Sequence, residues 1–170
     1  MKALALTLRR HPVFNSSLEE ATDTLVLKNY YHLGLAVDTE AGLIVPVLRN
    51  VDQKDGITLA LEVQTLAERA RQRQVTADEL KGGTFTLSNQ GGIGGAHFTP
   101  IINKPEVAIL GAGQGALKPA VREGRIEIRT LIPLGLSYDH RVIDGAAAAR
   151  FITDLVGVLE QSPAALLDKA

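Results

Sequence analysis

The chain has 170 residues, of which 45% are hydrophobic, and its 18 basic and 19 acidic residues leave a net charge of −1. This length and composition suit one compact domain, and the balanced charge argues against nucleic-acid binding, which usually requires a clustered basic surface. Cysteine is absent, which excludes disulfides, cysteine nucleophiles and cysteine-ligated metals, and no apolar run is long enough to cross a membrane. The absence of cysteine fits a reducing interior. The expected location is the cytoplasm of a bacterium, with the mitochondrial matrix or a plastid as the alternative in a eukaryote.

The first half of the chain predicts two helices with strands between them. Residues 1–11 follow a helical pattern that Pro12 ends, and no N-cap signal precedes them, so we expect further sequence upstream in the complete protein. Leu59, Val63 and Leu66 recur at helical spacing in the second helix. The predicted elements are helices at 1–11 and 57–73 and strands at 25–27, 33–37 and 43–47, the last two joined as a hairpin by residues 38–42.

The second half continues with strands and ends in a helix. Thr76 and Glu79 have the spacing of a capping box, and a glycine-rich loop occupies residues 91–95. The predicted elements are strands at 84–88 and 107–111, a long hairpin that pairs 117–122 with 126–138, and a helix at 145–160 that stops near Pro163. Hairpins mixed with helices predict an α+β fold, in which the helices pack on one side of a mainly antiparallel sheet.

His140 and Asp144 stand four residues apart at the predicted junction between the last strand and the last helix. An aspartate at the start of a helix can cap it, which would hold the preceding loop and its histidine in one orientation. A His-x-x-x-Asp pair by itself is more often a capped turn than a catalytic site. The local sequence therefore leaves both interpretations open.

The residues around this pair resemble a known family signature. The segment at 137–145, Ser-Tyr-Asp-His-Arg-Val-Ile-Asp-Gly, resembles the C-terminal motif of the dihydrolipoamide acyltransferases, the core subunits of the 2-oxo acid dehydrogenase complexes. Further segments resemble this family in family order, at 14–17, 42–47, 83–89, 100–103 and 105–111. The resemblance covers nearly the whole chain. It implies a chloramphenicol acetyltransferase-like fold, a two-layer α+β sandwich with a mixed, mainly antiparallel sheet.

The resemblance implies three catalytic residues. His140 would be the general base that removes the proton of an attacking thiol, since a free thiol is mostly protonated at neutral pH while free imidazole is mostly neutral. Ser88 matches the family serine whose hydroxyl stabilises the oxyanion that forms on a thioester. Asp144 matches the motif aspartate and is expected to support the catalytic loop, with Arg141 as a candidate ion-pair partner.

Three neighbouring residues are candidates for contact with the substrate. Asn89 follows Ser88 and can either face the substrate channel or form a turn. Gly145 is expected to allow close approach of backbone at the start of the last helix. Arg141 follows His140 directly. Metal ligands are not expected, because the four histidines lack ligand spacing.

Two other functions fit fragments of the pattern. Ser88, His140 and Asp144 have the residue types of a serine hydrolase, but Ser88 lacks the Gly-x-Ser-x-Gly elbow. The loop at 91–95 is glycine-rich, but it lacks the Gly-Lys-Ser/Thr ending of a phosphate-binding loop and does not match Gly-x-Gly-x-x-Gly. Acyl transfer between thiols is therefore favoured, whereas a covalent acyl-serine intermediate would favour the hydrolase.

The resemblance also implies an assembly and its substrates. The family forms trimers that assemble into cubic or icosahedral cores, with His140 of one subunit meeting Ser88 of its neighbour. The acyl donor is a lipoyl group on a mobile domain, the acceptor is coenzyme A, and no metal, nucleic acid or membrane is implied. The loop at 91–100 looks more like the pyruvate-complex type than the 2-oxoglutarate type, so acetyl is the expected acyl group, with the branched-chain enzyme as an open alternative.

The chain departs from the family in its extent. Residues 1–170 resemble the acyltransferase catalytic domain without its usual N-terminal part, and neither a lipoyl domain nor a peripheral-subunit-binding domain is found. Contacts with the dehydrogenase components are therefore expected through domains that this chain lacks. The alternative function is a truncated structural core that assembles but has little or no activity of its own.

Overall fold

The computed structural model describes residues 1–161, and within them the chain forms three α-helices and ten β-strands. The helices are α1 (Lys2–Arg10), α2 (Gly56–Arg71) and α3 (Gly145–Leu159). The strands are β1 (Ser16–Glu19), β2 (Thr24–Leu27), β3 (Leu33–Thr39), β4 (Gly42–Ile44), β5 (Val47–Leu48), β6 (Phe85–Asn89), β7 (Ala108–Ala112), β8 (Ala116–Arg122), β9 (Arg125–Leu131) and β10 (Leu134–Tyr138). None of the described helices is long and apolar enough to span a membrane.

The central sheet has the strand order β10–β7–β6–β3–β4, and β5 pairs with the beginning of β3. The two pairings in its middle, β3 with β6 and β6 with β7, are parallel. The other described pairings, including the separate β1–β2 and β8–β9 hairpins, are antiparallel. The predicted α+β fold with a mixed, mainly antiparallel sheet is therefore confirmed.

The two faces of the central sheet differ in the size of their side chains. One row, with a leucine from each of four adjacent strands, belongs to the core or packs against it and consists of Leu35, Leu87, Leu110 and Leu136. Because side chains alternate along a strand, the next row faces the opposite side. That row is made of small residues: Ala36, Ser88, Gly111 and Gly135.

Helices α1 and α3 cover the leucine side. The buried positions of α3 recur every three or four residues, as an amphipathic helix requires, and are Ala148, Phe151, Leu155 and Val158. Phe151 stacks on Phe14, with ring centroids 4.3 Å apart. Full burial of a phenylalanine of this kind contributes roughly 1.5–3 kcal/mol. His11 Nε2 at the end of α1 lies 2.7 Å from a carboxylate oxygen of Asp154 and ties the two helices together.

Two strand predictions differ from the structure at prolines. The predicted strand at 126–138 is divided at Pro133: β9 ends before it and pairs with β8, while β10 follows it and joins the central sheet beside β7. The predicted strand at 43–47 is likewise interrupted at Pro46 and resumes as β5. Proline has no amide proton for a strand ladder, so each proline interrupts its strand. At Pro133 the chain also changes its pairing partner, whereas β4 and β5 on either side of Pro46 both pair with β3.

The other predicted helices and strands agree with the structure apart from small shifts at their ends. The capping box of Thr76 and Glu79 is confirmed and begins a short 3-10 helix at Ala77–Leu80. Strand β1 was not predicted, because its sequence lacks an alternating apolar pattern. The predicted end of the last helix near Pro163 lies outside the described residues.

The β8–β9 hairpin exposes an apolar face. The strand register places Leu117, Pro119 and Val121 of β8 on one face with Ile126 and Ile128 of β9. The four aliphatic side chains among them are 72% to 78% exposed. The opposite face carries lysine, arginine and glutamate side chains. An exposed apolar surface with a polar reverse side is typical of a protein–protein contact.

Candidate active site

His140 is exposed in a tight turn between β10 and α3. The amide of Asp139 donates to the carbonyl oxygen of Val107 at 2.8 Å, which fixes the start of the turn beside β7. The carbonyl oxygen of Asp139 accepts bonds from the amides of Val142 and Ile143, both at 3.0 Å. Backbone hydrogen bonds therefore hold the chain before and after His140, and the imidazole projects from a fixed turn.

Asp139 and Arg141, on either side of His140, form an ion pair. Arg141 Nη2 lies 2.6 Å from Asp139 Oδ2, while the Arg141 Nε and backbone amide each donate to Oδ1 at 3.0 Å. These bonds, the side-chain bonds first, hold the pKa of Asp139 below its ordinary value. Arg141 Nη2 also donates to Glu20 Oε1 at 3.0 Å. The predicted ion pair of Arg141 with Asp144 is therefore wrong, because the guanidinium is directed at two other carboxylates.

Asp144 is the N-cap of α3, as the sequence predicted. Its Oδ1 accepts the amide N–H of Ala147 at 2.7 Å, and this bond is the main cause of a pKa below the ordinary value for Asp144. At Gly145 the nearest atom that an added Cβ would meet is the Tyr138 hydroxyl oxygen, at 3.9 Å. The expected close approach of backbone at Gly145 is therefore wrong within the described chain. Asp144 supports the turn by capping, without help from the glycine.

Ser88 lies near the end of β6, on the small-residue face of the sheet. It is level with Gly111 of β7, which is level with Gly135 of β10. Tyr138 is three residues further along β10, roughly 10 Å away in an extended strand, and His140 lies beyond it. Ser88 and His140 of one chain therefore stand near opposite ends of the sheet, too far apart to share a hydrogen bond.

Asn89 forms a turn at the end of β6. Its Oδ1 accepts the amide N–H of Gly91 at 2.9 Å, the bond expected of a turn-forming asparagine. The glycine-rich loop then folds back over the end of β7. An added Cβ at Gly113 would lie only 1.8 Å from the carbonyl oxygen of Ala96, so the backbones meet too closely for any other residue. The loop is tightly turned and borders the strand end that carries Ser88.

The geometry argues against the alternative functions. A hydrolase triad needs an acidic side chain that orients the histidine, whereas the Asp144 carboxylate accepts the amide of Ala147 as the N-cap of α3. The glycine-rich loop opens a three-residue 3-10 helix (Gly91–Ile93) rather than an α-helix whose N-terminus could bind phosphate. In the part of the chain that the structure describes, no group of three or more acidic or histidine side chains could hold a metal ion.

Two acidic residues near His140 escaped the sequence analysis. Glu20 Oε1 accepts bonds from Arg141 at 3.0 Å and from Lys104 at 3.1 Å. No sequence pattern connects it to His140, because the contact depends on tertiary folding. Glu106 is 5% exposed, and burial raises its pKa to about 7. The available signal in the sequence was its position just before the apolar strand β7, because burial of a carboxylate is unfavourable unless it is paired.

The largest of the described cavities lies away from these residues. It measures about 620 Å³ and is bounded by α1, α3 and the connection between β9 and β10. Its lining is mainly aliphatic and includes neither Ser88 nor His140. The cavity is therefore not part of the candidate active site.

The sequence matches the family model of the 2-oxoacid dehydrogenases acyltransferase (catalytic domain) over residues 1–167. Among curated relatives, the dihydrolipoyllysine-residue acetyltransferase component of the pyruvate dehydrogenase complex of Azotobacter vinelandii is 50% identical over 167 residues. That alignment covers 98% of this chain and 26% of the relative. The chain thus spans about a quarter of the length of that relative.

Solved structures show the same fold. The dihydrolipoamide acetyltransferase of Azotobacter vinelandii superposes on this chain with a TM-score of 0.91 and is 52% identical to it; the match covers 98% of this chain and 68% of that chain. In that enzyme the roles of a serine, a histidine and an asparagine in the catalytic mechanism were investigated. The cubic core of a pyruvate dehydrogenase multienzyme complex superposes with a TM-score of 0.88 at 50% identity, and the match covers 98% of this chain and 66% of that chain. A chloramphenicol acetyltransferase shares the fold alone, with a TM-score of 0.58 at 19% identity; the match covers 94% of this chain and 75% of that chain.

Proposed function

The chain belongs to the 2-oxoacid dehydrogenase acyltransferase family, and we propose that it transfers an acyl group, preferably acetyl, from S-acyl-dihydrolipoyl-lysine to coenzyme A. The observation that carries this proposal is the placement of Ser88 and His140, each held at one end of the sheet. The serine and histidine investigated in the Azotobacter vinelandii enzyme have the same separation in sequence as this pair. Its asparagine follows its histidine at the spacing with which Asp144 follows His140.

In the proposed reaction, His140 acts as a base on the thiol of coenzyme A. The imidazole accepts the thiol proton as the sulfur attacks the carbonyl carbon of the thioester. The tetrahedral intermediate then expels the dihydrolipoyl sulfur, which takes the proton back from the imidazolium, so that the enzyme returns to its starting state. The hydrogen-bonded turn around His140 fixes the backbone from which the imidazole projects, and this proton transfer requires such a positioned base.

Ser88 donates a hydrogen bond to the oxyanion of the tetrahedral intermediate. A preorganised donor of this kind typically lowers the barrier by about 3–4 kcal/mol. Because Ser88 lies far from His140 in its own chain, the donor comes from Ser88 of a second copy. The proposed site is therefore shared between two subunits, and one chain contributes to two sites.

The proposed assembly is a trimer that can build a larger core. The apolar face of the β8–β9 hairpin supports this proposal, since an isolated two-stranded hairpin is marginally stable and its exposed aliphatic side chains need a covering surface. A cubic core is the assembly of one relative that shares the fold. A trimer also supplies the neighbouring Ser88 that the chemistry requires.

The substrates and further partners follow from the same proposal. The acyl donor is a lipoyl group on a separate domain, and the dehydrogenase components bind through domains outside these 170 residues. Both the lipoyl group and coenzyme A are substrates rather than resident cofactors. Asn89, Arg141 and Gly145 remain candidates for contact with them, and the cytoplasm is the proposed location.

A structural core without activity of its own is the second candidate function. The exposed face of the β8–β9 hairpin favours it, since that face requires a partner surface but no chemistry. The two candidates differ in whether the ordered turn around His140 is used.

An acyl-transfer assay with dihydrolipoamide and acetyl-coenzyme A, run on the assembled protein, distinguishes the two candidates. We expect activity in the wild type and a loss of about 10³-fold or more in His140→Ala, because a positioned base contributes up to about 10⁴-fold. Full activity in His140→Ala would overturn the mechanism. An inactive wild type that folds and assembles normally would favour the structural core. Succinyl and branched acyl thioesters, assayed in parallel, measure the preference for acetyl.

A further inference from the structure

Two charged residues flank His140 without a place in the proposed proton transfer. The Arg141 side chain folds back across the turn and grips the Asp139 carboxylate through Nη2 and Nε, at 2.6 Å and 3.0 Å. The residues immediately before and after the base are thus joined through their side chains. The turn that presents the imidazole is closed by a ring of bonds that His140 itself does not make.

A third charge ties this turn to the rest of the molecule. Glu20 lies in the connection between β1 and β2 and accepts bonds from Arg141 at 3.0 Å and from Lys104 at 3.1 Å. Lys104 belongs to the segment that leads into β7. Glu20 therefore joins the His140 turn to two segments that are remote in sequence, across a small cavity of about 280 Å³.

Stability alone does not account for these bonds. The side chains of Glu20 and Arg141 are 53% and 56% exposed, and exposed ion pairs usually contribute little to folding. A rigid, bidentate carboxylate–guanidinium pair does, however, restrict geometry. A displacement of about 1 Å at a reacting group can reduce a rate about 100-fold, so restriction matters most next to a base.

We propose that Asp139, Arg141 and Glu20 are positioning residues that form, with Lys104 as the second positive charge, a charge-balanced clamp around the His140 turn. This inference rests on the proposed function, because it assigns the clamp to the presentation of the catalytic base. The clamp has two effects. It holds the turn in one conformation, and it keeps the two charges that flank His140 in sequence paired with each other.

The second effect predicts opposite consequences for the two halves of the clamp. Without Arg141, the carboxylate of Asp139, the residue before His140, would stand unpaired and favour the protonated form of the ring. Without the carboxylate, the guanidinium would favour the neutral form. The other charged or titratable groups around the turn remain in both cases: Tyr138, whose ring centroid lies 5.6 Å from that of His140, Lys104, Glu106, Glu19 and Glu20 on the facing segments, Asp144 at the N-cap of α3, and Arg150 within α3.

The test compares Asp139→Asn, Arg141→Gln and the double variant in the assembled protein, by steady-state acyl transfer across pH. Each single variant should lower kcat about tenfold with a smaller change in KM. The acid limb of the pH–rate profile should move upward in Arg141→Gln and downward in Asp139→Asn, each by roughly 0.5 pH unit. The double variant should return the limb to its wild-type position while kcat stays low.

Arg69→Gln is the matched control. Arg69, on α2, makes a similar bidentate pair with Glu79 of the following 3-10 helix. This variant should leave both kcat and the acid limb unchanged. A merely structural role of the clamp would move the limb in neither variant or in the same direction in both, and either result would overturn the proposal.

A readout independent of turnover separates this inference from the proposed function. Diethyl pyrocarbonate modifies neutral imidazole, and its rate at His140 can be followed by peptide mass spectrometry in the same variants. If the wild type lacks acyl transfer yet the pH dependence of modification shifts in opposite directions, the proposed function fails while the charge balance of the clamp holds. Unshifted modification beside normal wild-type turnover rejects the clamp alone.

Discussion

The two ends of the central sheet present their reactive side chains by different means. At one end, His140 is held by local polar contacts: a capped helix, a backbone turn and the pair of Asp139 with Arg141. At the other end, Ser88 is held by the strand ladder, within a row of small residues. The backbone at each residue is thus held by contacts within its own chain. One chain therefore carries two separate half-sites, and the proposed reaction requires a second copy to join them.

The largest effect is expected when the two half-sites are inactivated in different chains by mutation. We expect His140→Ala to lose about 10³-fold and Ser88→Ala about 10²-fold in kcat, because a base and one oxyanion donor contribute these amounts. When the two inactive chains are mixed, unfolded and reassembled together, random trimers should recover roughly a quarter of wild-type activity, since some interfaces then pair an intact His140 with an intact Ser88.

Several controls protect this interpretation. Ser137→Ala, on the same face of the sheet but in β10, should retain near wild-type kcat. Each single variant, carried alone through the same reassembly, should stay inactive. A mixture no more active than the sum of its components would place both residues in one chain or remove one of them from the chemistry.

A buried carboxylate, Glu106, further distinguishes the His140 end of the sheet from the Ser88 end. It precedes Val107, whose carbonyl oxygen accepts the amide of Asp139, and burial raises its pKa to about 7. A raised pKa means that the folded protein binds more protons than the unfolded chain, so stability is greatest below about pH 4.5 and falls as pH rises to about 7. Relative to Glu106→Gln, the wild type should lose about 3 kcal/mol of unfolding free energy across that range.

Urea unfolding of both proteins at several pH values measures this difference. Glu127→Gln removes an exposed carboxylate on β9 and serves as the control, because an exposed pair should not alter the slope. Parallel pH dependence of the wild type and Glu106→Gln would show that Glu106 is accommodated without cost, which would remove the contrast between the two ends.

The smallest expected effect concerns the helix cap. Asp144→Ala removes the bond to the Ala147 amide and should lower Tm by a few degrees, whereas Asp144→Asn keeps a capping oxygen and should stay close to wild type. Because the cap also orders the His140 turn, kcat should fall in the alanine variant. The loss of kcat caused by Ser88→Ala should remain the same in that variant. A drop in Tm of equal size in both variants would show that charge rather than capping stabilises α3.

Much of the fold could be predicted from local pattern. Helical spacing predicted α2, the capping box of Thr76 and Glu79 predicted the following 3-10 helix, and Asp144 was recognised as the cap of α3. These features depend on residues within one or two turns of each other, so the sequence contains the whole interaction. The resemblance to a family then supplied Ser88 as a partner of His140, which no local pattern could do.

The sequence by itself therefore determined the local elements, the apolar faces of the helices and the residue types around His140. Only the tertiary structure decided that Arg141 binds Asp139 and Glu20 rather than Asp144, that Pro133 sends β10 into the central sheet, and that Ser88 and His140 lie apart in one chain. The physical reason is that strand register and long-range ion pairs join segments distant in sequence. Their geometry exists only after the sheet has formed.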